Sequence, residues 1–138
     1  MTLKAILFDS DGVLLDSERP FFEATREAFA TAGAELTVQQ WAKWFLGEGR
    51  RSREVARLVG IPPSSIDALI EMREEIFWRR IAAGVEIMPG VRETLEILSK
   101  KFRLAVVTGA NRERFERANA NTGLKHFFET VITTEDHE

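Results

Sequence analysis

The apolar run Ala5-Ile6-Leu7 leads into Phe8-Asp9-Ser10-Asp11-Gly12-Val13-Leu14-Leu15-Asp16-Ser17, and the pattern then turns helical instead of returning as a second strand. A continuous apolar run reads as a strand buried on both faces, the habit of parallel sheets covered by helices. The strand is expected from about Lys4 to Phe8, with Asp9 and Asp11 at its carboxyl end. Open α/β sheets keep their ligand crevice there. Two-residue spacing in extended backbone points both carboxylates to one side. Like charges held that close cannot both ionise freely. One carboxylate can then serve as nucleophile or metal ligand while the other works as general acid and base.

The remainder of the chain supports a sheet interrupted by helices. Four helices are expected between Ser17 and Ile87. The first follows Ser17 as N-cap and ends at Gly33. The second starts at Thr37, with Gln40 completing a capping box, and carries Trp41, Trp44 and Phe45 to Gly47. A short third helix runs through Val55 and Leu58, and a long fourth one is capped by Ser64 and closed by Gly84. Pro89-Gly90 opens a helix with Val91, Leu95 and Leu98 on one face. Arg103 to Val107 is a second apolar strand, followed by a helix to about Thr122 with Gly123 at C′. A third strand is expected at about Thr130 to Thr133. This is an α/β core, residues 1–16 and 88–138, interrupted by an all-helical domain over 17–87.

Blander readings of the acidic segment fare poorly. Asp11-Gly12 favours a tight hairpin turn, but no returning strand follows. A calcium loop of the EF-hand kind needs Glu twelve positions along and a ligand at the fifth; Pro20 and Val13 stand there. Thr108-Gly109-Ala110-Asn111 ends the second strand before a helix, where a hydroxyl and a helix N-terminus suit an anionic oxygen. Thr108 could equally just end the strand while Asn111 caps the helix. Arg50, Arg51 and Arg53 lie on or beside the loop Gly47-Glu48-Gly49, either gripping an anion or forming a solvated face. Phe45, Phe77, Phe115 and the three tryptophans read as packing. Asp16 reads as exposed, and His126 and His137 have no partners at metal-ligand spacing.

Net charge is −3, with acidic and basic residues interspersed, so neither nucleic acid nor an anionic membrane surface is an expected partner. No apolar stretch approaches the roughly 20 residues of a membrane span. The apolar strand follows the first residues directly, leaving no room for a signal peptide. The chain has no cysteine, which excludes disulfides and thiolate chemistry and suits a reducing cytoplasm.

With these residues in hand, the chain resembles the haloacid dehalogenase superfamily of aspartate-nucleophile hydrolases, in the branch related to phosphoglycolate phosphatase and β-phosphoglucomutase. Asp-x-Asp-Gly-Val-Leu-x-Asp-Ser at Asp9 to Ser17, then Met88-Pro89-Gly90-Val91, then Val106-Val107-Thr108-Gly109-Ala110-Asn111 carry the resemblance. It implies a Rossmann-like parallel-sheet core with a helical cap. It also implies Mg²⁺-dependent hydrolysis of a small phosphorylated metabolite through an aspartyl-phosphate. On that resemblance Asp9 would be the nucleophile and a Mg²⁺ ligand. Asp11 would protonate the leaving group, activate water and offer its main-chain carbonyl to the metal. Thr108, helped by the Gly109 and Ala110 amides, would bind the phosphoryl oxygens. Gly47, Arg50 and Arg51 would contact the substrate from the cap loop. The second aspartate argues against true dehalogenases, where no leaving oxygen needs a proton. A sugar phosphomutase of the same family is the alternative activity, and a receiver-like signalling domain fits badly because it lacks such a helical insert.

Two family motifs find no match. One is a lysine after the third strand that holds nucleophile and phosphoryl together; the other is an acidic pair that completes the metal site. Lys125 comes too early, Lys100 and Lys101 lie on the helix before the second strand, and Glu135 and Asp136 precede where the lysine belongs. A core this small is marginal, and the first strand would be a bare apolar edge prone to self-association. The expectation is a truncated form of a protein about 70 to 100 residues longer, either inactive itself or retaining only a binding crevice.

Overall fold

The computed structural model describes residues 3–136, so His137 lies outside them. Its chain divides into two units, one made of residues 1–18 and 81–138, the other of residues 19–80. The first unit holds a parallel sheet of β1 (Ala5–Phe8), β2 (Arg103–Val107) and β3 (Thr130–Ile132), in the order β1-β2-β3. Together with the helices α1 (Glu18–Thr31), α2 (Val38–Trp41), α3 (Ser52–Leu58), α4 (Pro63–Ala83), α5 (Val91–Leu98) and α6 (Arg112–Asn119), this is the expected α/β fold.

β2 is the central strand, and Leu104 and Val106 are fully buried. Among the described residues β1 is the edge expected of this form, and it departs only from the reading of a strand buried on both faces, with Leu7 64% exposed and burial alternating along it. The reason is pairing. β1 meets β2 on one side, Phe8 opposite Val106, and no other strand of the described residues pairs with it. An apolar run records what a strand could bury, not what covers it. Phe115 and Leu124, in the same unit, are both essentially inaccessible.

The helical unit has its own core around Phe29, Leu36, Trp41, Val55, Ile61 and Leu69. Thr37 caps α2 as expected: its Oγ1 accepts from the Gln40 amide at 3.2 Å, and the Gln40 side chain accepts from the Thr37 amide at 2.9 Å. The helix does not continue as α beyond Trp41. Residues Ala42–Gly47 wind as a π-helix, with the Glu48 amide reaching the Lys43 carbonyl at 2.9 Å. Trp41 stacks on Phe45 at 4.1 Å, and both rings meet Phe21.

Three boundaries differ from the sequence reading. α4 starts at Pro63 rather than after Ser64, because proline lacks the amide that a first-turn residue leaves unsatisfied anyway. α6 ends at Asn119, whose side chain turns back to the Phe115 carbonyl at 3.0 Å. Gly123, at φ +67°, therefore belongs to the turn beyond the helix rather than to its C′ position. Lys100 and Lys101 sit in the turn after α5, not on it. Among the described residues no helix is long and apolar enough to cross a membrane.

Candidate active site

The acidic loop is built by hydrogen bonds from Ser10. Its carbonyl accepts from the amides of Val13, Leu14 and Leu15, and Ser10 is itself buried. Gly12, at φ +72°, then lets its amide turn back to the Leu15 carbonyl at 2.8 Å. An L side chain rarely adopts that backbone. Leu15 pairs with Ile87 and the Asp16 amide donates to the Glu86 carbonyl, so the loop is pinned to the return segment. Asp16 is accordingly half-buried, not exposed as expected.

Asp9 leaves β1 one residue after Phe8, which is level with Val106 on β2. The Asp9 and Thr108 segments thus emerge side by side at the carboxyl ends of adjacent parallel strands. The Asp9 carboxylate is exposed, and its Oδ1 accepts from the Ser10 amide at 2.7 Å. Asp11 is half-buried; its Oδ1 accepts from the Ser17 hydroxyl at 2.5 Å and lies 4.0 Å from Arg114 Nη2. Ser17, expected as the N-cap of the first helix, gives its hydroxyl hydrogen to Asp11. Burial pushes the Glu18 carboxyl above its ordinary value, the Asp11 charge adds to this, and Arg114 opposes it.

Thr108 is buried, its amide donating to the Ile132 carbonyl at 3.0 Å. Its Oγ1 accepts from the Ala110 amide at 3.1 Å. That bond occupies a lone pair and leaves the hydroxyl hydrogen for an anionic acceptor. It also commits the Ala110 amide to Thr108, while Gly109 remains exposed beside it. Asn111 caps α6 by accepting from the Arg114 amide at 2.8 Å. The same cap fixes Arg114 in the first turn, where it reaches Asp11.

Among the described residues no three His, Cys, Asp or Glu side chains converge as a metal cage. Asp9 and Asp11 offer hard oxygen donors at one loop, which is what Mg²⁺ uses when water and substrate phosphate supply the other positions. Glu135 and Asp136 are engaged elsewhere. Thr133 donates its amide and hydroxyl to Asp136, its hydroxyl also meets Glu135, and Arg112 bonds both residues. Lys125 pairs with Glu116.

Gly47, Arg50 and Arg51 lie in the helical unit, all exposed. The Arg50 amide donates to the Trp44 carbonyl at 2.8 Å, and its guanidinium pairs with Glu48. Arg53 pairs with Asp67. Sequence reasoning missed Arg114 and Glu18. The available signal for Arg114 was its place one turn into a helix starting at a strand end, where a side chain can reach back to the neighbouring loop.

The family model for haloacid dehalogenase-like hydrolases matches residues 6–138. A phosphorylated carbohydrates phosphatase of Thermotoga maritima is 29% identical over 94% of this chain and 61% of its own length. A fructose-1-phosphate phosphatase of Escherichia coli is 27% identical over 96% of the chain and 69% of its own. A phosphoglycolate phosphatase of Pseudomonas syringae is 34% identical over 81% of the chain and 43% of its own. Among solved structures, a protein of Lactobacillus plantarum provisionally assigned as a phosphoglycolate phosphatase superposes with a TM-score of 0.76 at 26% identity, over 99% of this chain and 64% of that one. A provisionally assigned β-phosphoglucomutase of Thermotoga maritima gives 0.73 at 28% identity, over 99% and 63%. The chain spans 61% of the first of these relatives.

Proposed function

The chain belongs to the haloacid dehalogenase-like hydrolases, and from that premise we propose that it carries the nucleophile and phosphate-binding half of a phosphomonoester hydrolase acting on a small phosphorylated metabolite. The observation that carries this reading is the pairing of Asp9 and Asp11 at the end of β1 with Thr108 at the end of β2. Relatives named as phosphatases of phosphorylated carbohydrates, fructose 1-phosphate and phosphoglycolate support the substrate class.

Asp9 is the nucleophile because its carboxylate is the exposed member of the pair. It attacks phosphorus, the ester oxygen leaves, and an aspartyl-phosphate forms. Asp11, oriented by Ser17, gives its proton to that oxygen and then takes one from the water that hydrolyses the intermediate. Thr108 donates its free hydroxyl hydrogen to a phosphoryl oxygen, with the Gly109 amide beside it. Asp9, through its carboxylate, and Asp11, through its carbonyl, would hold Mg²⁺, which when bound supplies charge neutralisation for the phosphoryl group. Gly47, Arg50 and Arg51 are proposed as contacts for the far end of the substrate. The absence of cysteine suits a cytoplasmic setting.

Release of inorganic phosphate from 2-phosphoglycolate and fructose 1-phosphate tests the reading. Turnover by the native chain that Asp9→Asn abolishes is the result this reading expects, whereas the alternative of an inactive truncated form expects phosphate binding without turnover. Turnover that survives the substitution removes Asp9 from its role.

A further inference from the structure

Arg73, in the middle of α4, is buried to 6% exposure, although a guanidinium is among the costliest groups to take out of water. Its surroundings compensate with specific contacts. Nη1 donates to the Ser52 hydroxyl, Nη2 pairs with Glu74, and the guanidinium lies 4.6 Å from the centre of the Phe21 ring. One cation thus ties α4 to α1 and to the first residue of α3. Apolar side chains would pack such a helix junction at less cost, so the buried charge calls for a further reason.

Ser52 directly follows the loop Gly47–Arg51. At the other end, the loop leaves the π-helical turn through the bond from the Arg50 amide to the Trp44 carbonyl. Arg51 joins α3 through reciprocal bonds: its amide donates to Glu54 Oε2 at 2.8 Å, and the Glu54 amide donates to its carbonyl at 2.9 Å. Gly49 lies between, at φ +62°. Arg50 and Arg53 are neutralised by Glu48 and Asp67. The loop backbone is therefore held at Trp44 and at Glu54, and Arg73 fixes the start of α3 from inside.

We propose that Arg73 is a positioning residue: through the Ser52 hydroxyl it holds the Gly47–Arg51 loop in one conformation and so sets how tightly a substrate with an anionic far end binds. The binding half of this rests on the loop's substrate role proposed above; the anchoring half does not. Ordering the loop before substrate arrives removes that entropic cost from binding, so the effect falls on KM rather than on kcat.

Two measurements on the native chain, Arg73→Met, Arg73→Lys and Ser52→Ala test this. The first is the rate of tryptic cleavage after Arg50 and Arg51, read by mass spectrometry under native conditions. The second is the steady-state kinetics of 2-phosphoglycolate hydrolysis. Ser52→Ala removes the acceptor hydroxyl alone, so it keeps the test open if Arg73→Met fails to fold. Cleavage about ten-fold faster in Arg73→Met and Ser52→Ala, restored in part by Arg73→Lys, is expected. A KM raised about ten-fold with kcat within about two-fold is expected beside it. Unchanged cleavage in Ser52→Ala overturns the anchoring. Faster cleavage with an unchanged KM overturns the link to substrate. Absence of turnover in the native chain counts against the phosphatase reading, and the cleavage rates still decide whether Arg73 holds the loop.

Discussion

The Ser17 hydroxyl donates to Asp11 Oδ1 at 2.5 Å, and Arg114 Nη2 stands 4.0 Å from that same oxygen. Both partners therefore meet one oxygen of the carboxyl group, which fixes its rotation and leaves the other oxygen for proton transfer. Ser17→Ala is expected to lower kcat for 2-phosphoglycolate by about ten- to a hundred-fold, a part of what general acid–base catalysis supplies. Ser17→Thr keeps the hydroxyl and is expected to retain most activity. An unchanged kcat in the alanine variant would remove Ser17 from the mechanism.

The helical unit is expected to depend on Phe29, which is fully buried in its core. Phe29→Ala should cost about 3–5 kcal/mol, the usual range for an aromatic ring removed from a packed interior. Urea unfolding followed by tryptophan fluorescence reads this directly, since Trp41 belongs to the same cluster. A loss below about 1 kcal/mol would mean that the core is less tightly packed than described.

β1 carries an exposed leucine on an unpaired edge among the described residues. The 138-residue chain is expected to self-associate through that edge at high concentration. Leu7→Lys should shift sedimentation toward the monomer without lowering stability, because Leu7 is already 64% exposed. An identical mass distribution for both proteins would show that the edge does not drive association.

Asp136 has its carboxyl held below the ordinary range, chiefly by the Thr133 amide, with the Thr133 hydroxyl and Arg112 adding to it. A depressed folded value means that the unfolded chain binds the proton first as pH falls. The contribution is thus present above about pH 3.8, the ordinary value for this group, and is lost as pH falls through the lower folded value. Asp136→Asn should remove that part of the acid sensitivity, measured as urea midpoints between pH 2 and pH 5. Parallel pH profiles in the two proteins would contradict the assignment.

Much of the architecture was legible because local rules and tertiary packing agree in most segments. The capping box at Thr37 and Gln40, the span Arg103–Val107 and the entry to α5 at Gly90 follow from short-range chemistry alone. The π-helical turn at Ala42–Gly47 does not, since apolar spacing over so short a run does not distinguish it from a continued α-helix. The site divides in the same way. Asp9, Asp11 and Thr108 declare themselves by position after apolar strands, whereas Arg114 and Arg73 matter through partners about 100 and 21 positions away. The Ala110 amide, read as a phosphate donor, is held by Thr108, a bond set by backbone geometry that spacing does not encode.

Acid-quenched single turnover with 2-phosphoglycolate, followed by mass spectrometry of the peptide containing Asp9, tests the central claim most directly. One phosphoryl group is expected on Asp9, absent from Asp9→Asn and formed as well as hydrolysed more slowly in Asp11→Asn, which can neither protonate the leaving oxygen nor activate the water. Turnover of the native chain without any phosphoryl adduct on Asp9 would contradict it.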